Sequence, residues 1–398
     1  MKKVLIVISD MGSGGAQKSL LAFLQCLTGS DAGAGYDIRL MVVDPVGVFM
    51  PQLPSQVTQV VAPKELRWLG SHLSKKLFKE CFSWRGLVGE CRWLLRKRLG
   101  LFDKRLNIQQ RMWQNWQTLI PEDTEHYDIA ISYIDGFPNY YVMDKVQADK
   151  KVLWVHNEYR KLGYEPAFDQ RFFDACHKIV TISEDCRQCI LQEFPQHEEK
   201  VSVLENITVG AAVIEQSQAP CEDFEKAAGL KLLSVGRLNE QKGYPLAIGA
   251  AKRLQEAGVE FLWLVLGEGP EREKIRQMIE EAGLTKQFVL LGVRPNPYAY
   301  MRCCDILVQP SLFEGKYVVL DEAKILCKPI VATNYTTVGA SISHGESGWI
   351  VDMTDEAVFD GIMRLKEDTV LRQQIVEHLR QLPKGNEQEL NAYITVMM

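Results

Sequence analysis

The chain has 398 residues, a formal net charge of −5 and 46% hydrophobic residues. This length exceeds what one hydrophobic core usually organises, so we expect two domains of ordinary size. The composition is typical of a globular protein and argues against a disordered chain. No apolar stretch approaches the roughly 20 residues that span a bilayer, so the sequence does not predict a transmembrane protein.

The N-terminus and the cysteines bear on the cellular compartment. The first apolar run, from Val4 to Ile8, is too short for a secretory signal and is predicted to be a strand. The ten cysteines have no regular spacing, which favours reduced thiols over a disulfide framework. We therefore expect a cytoplasmic protein, with a peripheral position on the inner face of the cytoplasmic membrane as a further expectation.

Apolar, β-branched runs alternate with helical patterns along most of the chain, which indicates parallel sheets with crossover helices. In the first half the predicted strands are 4–8, 38–43, 58–61, 129–134, 152–155, 179–182 and 201–204. In the second half they are 232–235, 261–266, 288–291, 306–308, 330–332 and 349–351. The predicted fold class is α/β, with two doubly wound Rossmann-like domains that face a central cleft.

The domain boundaries follow from breaks in this pattern. The first domain is predicted over 1–207 and the second over 229–383. Residues 208–228 are expected to be a linker, because the segment up to Pro220 is small and polar and shows no convincing period. The segment 384–398 has apolar residues at helical spacing and is expected to form a helix that returns to the N-terminal domain.

Gly14 and Gly15 follow the first strand and precede a helical pattern. Glycines at this place let backbone amides approach an anion at a helix N-terminus, so the pair is a candidate phosphate site. A tight turn from strand to helix would use the same residues, and both interpretations stay open.

The candidate cations of the second domain follow the strand 232–235. Gly236 and Arg237 end this strand, and Lys242 follows across a short polar loop. Arg can grip phosphate oxygens through two nitrogens and Lys adds a point charge, so the two could neutralise a leaving diphosphate. A solvated basic turn is the alternative interpretation.

Two carboxylates, Glu314 and Glu322, flank the start of a predicted helix. Free amides near Lys316 to Val318 would form an anion site between them. Carboxylates accept hydrogen bonds from sugar hydroxyls, so a nucleotide sugar could be bound along this segment. Alternatively, Glu314 caps the helix and Glu322 is exposed.

The spacing of Glu314 and Glu322 resembles the E-x7-E pattern of the family 4 retaining glycosyltransferases, which have the GT-B fold. The resemblance covers nearly the whole chain and is clearest from Leu232 to Val351. It implies that Arg237 and Lys242 hold the donor diphosphate, Glu314 the donor sugar and Glu322 the ribose. The remaining residues that it assigns to the donor or acceptor side are Gly14, Gly15, Gly236, Val293, Arg294, Gly315, Lys316, Tyr317 and Val318.

His156 follows the predicted strand 152–155 and resembles the first-domain histidine of that family. It is therefore a catalytic candidate with Arg237, Lys242 and Glu314, although a histidine at a strand end is often a hydrogen-bonded turn residue. No D-x-D follows an apolar strand, so neither a metal nor another cofactor is expected, and the UDP- or GDP-linked sugar is the substrate.

The segment 64–116 is a predicted basic, aromatic insertion. From Lys64 to Arg111 there are thirteen Lys or Arg residues against four acids. Trp84, Val88 and Leu95 share one helical face with other apolar residues, whereas several arginines share another. This pattern favours contact with an anionic membrane surface, with a basic helix packed on the core as the alternative. Nucleic acid is not an expected partner, because the overall charge is negative and no recognition motif is present.

The predicted function is that of a retaining, metal-independent glycosyltransferase in cell-surface polysaccharide or glycoconjugate synthesis. The donor is a nucleotide sugar, and the acceptor is a glycan or a lipid-linked glycan. A sugar-nucleotide epimerase or hydrolase is the alternative among enzymes, since such folds host both. A non-catalytic nucleotide-sugar-binding subunit of a membrane glycan assembly is the alternative outside enzymes.

Overall fold

The structure is a computed structural model that describes residues 1–70, 83–225, 227–314 and 318–397. Its strands are β1 Lys2–Ile8, β2 Tyr36–Val42, β3 Thr58–Val60, β4 His126–Ser132, β5 Gln147–Val155, β6 Lys178–Thr181, β7 Val201–Val203, β8 Leu230–Val235, β9 Phe261–Leu266, β10 Phe288–Gly292, β11 Ile306–Gln309, β12 Ile330–Thr333 and β13 Trp349–Val351. Each of them overlaps a strand predicted from the sequence.

The α-helices alternate with these strands. They are α1 Gly15–Thr28, α2 Lys64–Gly70, α3 Trp84–Arg98, α4 Ile108–Trp116, α5 Phe137–Lys145, α6 Pro166–Ala175, α7 Glu184–Glu193, α8 Gly210–Ser217, α9 Glu222–Glu225, α10 Tyr244–Glu256, α11 Arg272–Glu281, α12 Tyr298–Cys303, α13 Val318–Ile325, α14 Asp355–Glu367, α15 Thr369–Gln381 and α16 Leu390–Met397. None of the helices in the described parts of the chain is both long and apolar enough to cross a membrane.

The chain forms two compact units, each built on one parallel sheet. Unit 1 consists of Met1–Ile207 and Gln388–Met398, and unit 2 of Thr208–Glu387. The sheet of unit 1 has the order β3-β2-β1-β4-β5-β6-β7, and that of unit 2 the order β10-β9-β8-β11-β12-β13. All registered strand pairs are parallel, which confirms the predicted α/β fold class of two doubly wound, Rossmann-like units.

The strands read as continuous apolar runs because helices cover both faces of each sheet. In unit 2, Leu232 and Val308 belong to the core on one face, together with the side of α10 that carries Ala247 and Leu254. Their chain neighbours Leu233 and Leu307 belong to a second core on the other face. Successive side chains of each strand therefore point into two different hydrophobic cores, and polar residues lie at the strand ends.

The structure differs from the expected linker at 208–228. Residues 210–217 form α8 and residues 222–225 form α9, and both helices lie in unit 2. Val213 and Phe224 are buried in the second core of that unit. The helical period was hard to recognise because α8 is only two turns long and buries one large apolar side chain.

The C-terminal helix α16 belongs to unit 1. Tyr393 lies in an aromatic cluster with Phe23 of α1, at a ring-centroid distance of 4.9 Å, and its hydroxyl donates a hydrogen bond to the carbonyl of Glu205. Ile394 and Met397 are buried as well. The last turns of the chain thus complete the core of unit 1, while residues 384–387 remain in unit 2.

Helices α2, α3 and α4 form the described part of the basic, aromatic insertion. They meet around Trp68, Trp113 and Trp116, which are buried in the core of unit 1. Helix α3 approaches this group through Gly86 and Gly89, and the side-chain amide of Asn115 donates a hydrogen bond to the carbonyl of Gly89. The tryptophans occupy the volume that side chains at the two glycines would need.

Replacing Gly89 by alanine is expected to destabilise unit 1 by about 1–3 kcal/mol, because overpacking forces a backbone or ring shift. A Cβ atom at this position would lie 2.5 Å from the Trp116 ring. Gly35→Ala is the matched control, since its Cβ would meet no atom within 4 Å. Urea denaturation of both variants measures the effect, and an equal midpoint for the two would contradict this packing.

Candidate active site

In unit 2 the predicted donor residues lie at the carboxyl edge of the sheet. The strand order reverses between β8 and β11, so the loops that follow these strands leave in opposite directions and open a crevice. The loop after β8 carries Gly236, Arg237 and Lys242, and the loop after β11 carries Glu314. The chain thus brings its candidate cations and its first candidate carboxylate to the switch point of one sheet.

Lys242 and Glu314 form a buried ion pair. The Lys242 Nζ lies 2.6 Å from the Glu314 Oε1, and the two residues are 6% and 5% exposed. Burial lowers the pKa of Lys242, and the contact with Glu314 opposes this shift. A buried pair of this kind contributes little net stability, but loss of either partner leaves an uncompensated charge in the interior.

Other side chains hold the Glu314 carboxylate in place. The Ser311 hydroxyl donates to its Oε1, and the Gln241 side-chain amide donates to its Oε2 at 3.2 Å. The Thr337 hydroxyl donates to the Glu314 main-chain carbonyl at 2.9 Å. These contacts orient the Glu314 carboxylate before any ligand arrives.

Glu322 is fully buried in α13. Its Oε1 accepts a hydrogen bond from the Tyr298 hydroxyl of α12, at 3.4 Å. The exposed position that was the alternative for Glu322 is therefore wrong. The role of Glu322 towards the ribose stays a prediction.

Arg237 differs from Lys242 in its surroundings. It is exposed at the end of β8, after the half-buried Gly236. Next to it the loop after β9 packs closely, because a Cβ atom at Gly267 would lie 1.9 Å from the Gly236 carbonyl oxygen. Gly267 also has a φ of +149°, which few other residues adopt. Arg237 is thus an exposed cation at a tightly packed strand end, whereas Lys242 is a buried cation in the same loop.

Val293 and Arg294 follow β10 at the same sheet edge and are both half-buried. The Arg294 Nε donates to the Tyr300 hydroxyl at 3.1 Å, and this hydroxyl donates to Asp223 at 2.8 Å. The side chain of Arg294 is therefore directed by α12 and α9. Its role towards a nucleobase stays a prediction.

Three of the predicted donor residues, Gly315, Lys316 and Tyr317, lie outside the described part of the chain. Val318 is the first residue of α13 and is buried. The anion site predicted at this helix start stays a prediction.

Gly14 and Gly15 lie in unit 1, at the switch point between β1 and β4. Gly14 is the N-cap of α1 and Gly15 its first residue. In the same turn, Asp10 accepts hydrogen bonds from the Gly12 amide, at 2.8 Å, and from the Gln17 side chain, at 3.2 Å. The glycines therefore form a strand-to-helix turn, and their role towards a phosphate or an acceptor stays a prediction.

His156 also lies in unit 1, directly after β5, and is 7% exposed. Its Nε2 is 2.9 Å from the Tyr133 carbonyl oxygen and donates to it, which leaves Nδ1 as an acceptor. The His156 backbone amide donates to Asp135 at 3.4 Å. Burial lowers the pKa of His156 to about 4, so the imidazole is neutral near pH 7. Nδ1 has no hydrogen-bond partner among the described residues.

The lowered pKa of His156 predicts an acid-dependent loss of stability. Between the unfolded value of 6.5 and the folded value of about 4, the unfolded chain binds a proton that the folded chain does not, so stability falls as the pH drops through this window. Between pH 7 and pH 4.5 the free energy of unfolding should fall in both proteins. We expect the fall to be roughly 2–3 kcal/mol smaller for His156→Gln than for the wild type. Urea unfolding of both proteins at the two pH values tests this, and parallel losses would contradict it.

The structure adds residues that the sequence patterns did not indicate. Ser311 and Gln241 contact Glu314, Tyr298 contacts Glu322, and Tyr133 contacts His156. Ser311 stands three residues before Glu314 and could have been considered from spacing alone. Tyr298 comes from a different helix, so no local signal points to it.

A metal centre was not expected from the sequence. In the ranges that the structure describes, no group of three or more His, Cys, Asp or Glu side chains is arranged to hold a metal ion. Arg237 and Lys242 are the two cationic side chains predicted for this sheet edge.

Part of unit 2 is similar to a known protein family. Residues 223–382 match the family described as glycosyl transferases group 1. The chain is 35% identical over 144 residues to a Campylobacter jejuni protein named N-acetylgalactosamine-N,N'-diacetylbacillosaminyl-diphospho-undecaprenol 4-alpha-N-acetylgalactosaminyltransferase. It is 30% identical over 142 residues to the amylovoran biosynthesis glycosyltransferase AmsK of Erwinia amylovora. The matches cover 35% and 34% of this chain, and 38% and 35% of the relatives, so the chain spans well under half the length of each.

The fold of the whole chain is similar to solved structures. The Anabaena protein HepE in complex with UDP and glucose aligns over 99% of this chain and 98% of that chain, with a TM-score of 0.68 and 15% identity. This likeness extends over both units and concerns the fold. Residues 223–382 therefore match the group 1 glycosyl transferases, in a chain that has the GT-B fold of two Rossmann-like domains.

Proposed function

We propose that the protein is a retaining glycosyltransferase that moves a sugar from a nucleotide-sugar donor to a glycan or lipid-linked acceptor. The observation that carries this proposal is the buried Lys242–Glu314 pair at the switch point of unit 2, within the residues that match the group 1 glycosyl transferases. A cation and an oriented carboxylate in one crevice suit the two ends of the bond that breaks, the diphosphate and the sugar.

The donor would be bound in sequence along the carboxyl edge of unit 2. Arg237 and Lys242 bind the diphosphate and stabilise the charge that develops on it as it leaves. Glu314 accepts hydrogen bonds from the sugar hydroxyls and Glu322 from the ribose. The loop with Val293 and Arg294 faces the base of a UDP- or GDP-linked donor, and the segment before Val318 meets the phosphates.

His156 would contribute from unit 1. Its Nδ1 is an acceptor on a neutral imidazole at a strand end, so it can accept a hydrogen bond from a sugar hydroxyl. Gly14 and Gly15 lie at the switch point of the same sheet and would contact the acceptor or a phosphate. Retention follows if the acceptor attacks on the face from which the diphosphate leaves.

The acceptor and the cellular location belong to the same proposal. The first relative carries diphospho-undecaprenol, a lipid diphosphate, in its name. A lipid-linked acceptor would place this protein in the cytoplasm, at the inner face of the cytoplasmic membrane, in the synthesis of a surface polysaccharide or lipopolysaccharide. Contact with anionic lipid through the insertion 64–116 is part of this proposal, and nucleic acid is not.

A panel of nucleotide sugars with a membrane extract as acceptor tests the proposal. The expected result is that one donor releases nucleoside diphosphate only when the extract is present. Glu314→Ala and Lys242→Ala should both abolish this release. Release that needs no acceptor and survives both substitutions would overturn the transferase assignment in favour of another activity.

A further inference from the structure

Helix α3 of unit 1 is oriented with its small residues towards the protein. A Cβ atom at Gly86 would lie 2.6 Å from the Trp68 ring, and one at Gly89 would lie 2.5 Å from the Trp116 ring. At the start of the helix the Ser83 hydroxyl caps the Gly86 amide. The face that carries the two glycines is therefore fixed against the tryptophans of α2 and α4.

This orientation leaves the apolar face of α3 in solvent. Trp84 is 78% exposed, Val88 54%, Leu95 57% and Leu99 58%, and their spacing of four, seven and four residues places them in one row. An amphipathic helix of a globular domain normally turns such a row towards the core. Helix α3 packs on the core of unit 1 through Gly86 and Gly89, and this row lies on a different face. A contiguous exposed apolar row marks an interaction surface.

Cations border this row. Helix α3 carries five of them, Arg85, Arg92, Arg96, Lys97 and Arg98. Its one acid, Glu90, is turned to the protein and accepts a hydrogen bond from the Trp68 indole at 3.3 Å. The surface therefore combines apolar side chains with positive charge and little negative charge. A second copy of the same face would repel it, whereas lipid headgroups with negative charge would attract it.

We propose that α3 lies in the interface of an anionic lipid bilayer, with Trp84, Val88, Leu95 and Leu99 towards the acyl chains. Arg85, Arg92 and Arg98, which flank this row by helical spacing, bind the headgroups, and this is the arrangement of interfacial helices. The inference deepens the proposed function, because it places the enzyme at the surface that carries a lipid-linked acceptor. The binding itself requires neither donor nor catalysis, so it can be tested apart from the reaction.

Sedimentation with lipid vesicles tests the proposal on the full chain. The wild type should bind vesicles that contain phosphatidylglycerol, should bind pure phosphatidylcholine vesicles weakly, and should lose binding as the salt concentration rises. Leu95→Glu should weaken binding by a factor of about 10 or more, because it places a charge in the apolar row. Val370→Glu is the matched control on α15 of unit 2, where Val370 is 66% exposed.

Cys91 supplies a second readout at the same face. It is an exposed free cysteine in α3, between Val88 and Leu95. Alkylation of Cys91 by a maleimide, followed by peptide mass spectrometry, should be fast in solution and at least severalfold slower with phosphatidylglycerol vesicles. Equal labelling rates with and without these vesicles would overturn the proposal, even if some protein sediments.

The other possible results of the vesicle experiment also test the proposal. Negligible binding to both kinds of vesicle, or equal binding by wild type and Leu95→Glu, overturns the proposal. Self-association that Leu95→Glu abolishes, without vesicle binding, would identify a second copy as the occupant of the α3 face. Vesicle binding in a protein that transfers no sugar would keep the α3 inference and contradict the proposed function, so the two failures are distinguishable.

Discussion

Lys242→Met is expected to slow sugar transfer strongly and to destabilise unit 2. The methionine removes the buried cation that would stabilise the leaving diphosphate, and we expect kcat to fall by roughly 10²- to 10³-fold. It also leaves the Glu314 carboxylate in the interior with the Ser311 and Gln241 donors but without the ion pair. Loss of one partner of a buried pair costs about 3–5 kcal/mol. Urea unfolding and turnover measurements report the two effects separately.

A double variant separates stability from catalysis. Lys242→Met with Glu314→Gln removes both charges, while the amide oxygen still accepts the Ser311 hydrogen bond. We expect the double variant to recover at least half of the lost free energy of unfolding, because neither methionine nor glutamine leaves an unpaired charge in the interior. Its activity should stay as low as that of Lys242→Met. A double variant as unstable as the single one would contradict the assigned role of the ion pair.

Glu314→Gln and Glu322→Gln are expected to differ in their effects on nucleoside diphosphate binding. Glu314→Gln removes the charge that holds Lys242, so this cation becomes more available to a diphosphate and the affinity should stay equal or rise. Glu322→Gln removes a charged acceptor of the ribose hydroxyls and should weaken the same ligand by roughly 10- to 100-fold. Isothermal titration with the nucleoside diphosphate of the active donor measures both effects.

Kinetics complete the comparison of the two carboxylates. Glu314→Gln should lower kcat, because the donor sugar loses its oriented acceptor, whereas Glu322→Gln should chiefly raise the donor KM. Thermal unfolding of each variant shows whether it is folded at the assay temperature. The assignment fails if both variants weaken the nucleoside diphosphate to the same degree, since the carboxylates would then not contact different parts of the donor.

The fold could be predicted from the sequence because its signals are local. Parallel strands buried on both faces appear as apolar runs such as 4–8 and 261–266, and the helices between them have their own period. The switch-point positions of Gly236 and Glu314 then follow from the order of a doubly wound sheet. The short helix α8 was missed because its burial depends on α12 and α13, which are far away in sequence.

Contacts between distant segments could not be predicted in the same way. Lys242 and Glu314 are 72 residues apart, and the local sequence around each residue does not predict that they form an ion pair. The orientation of α3 is a second case. The sequence showed an apolar face and a basic face, but which face is buried depends on the fit of Gly86 and Gly89 to tryptophans in two other helices.

The fate of the sugar tests the central claim most directly. With a nucleotide sugar radiolabelled in the sugar and a membrane extract as acceptor, we expect the label to move into the lipid or glycan fraction, in amounts equal to the nucleoside diphosphate released. Lys242→Met should slow this transfer by the roughly 10²- to 10³-fold expected for its kcat. Label recovered as free sugar would indicate a hydrolase, label in a changed nucleotide sugar an epimerase, and unchanged donor with every nucleotide sugar a binding subunit. Each of these three results would contradict the assignment as a glycosyltransferase.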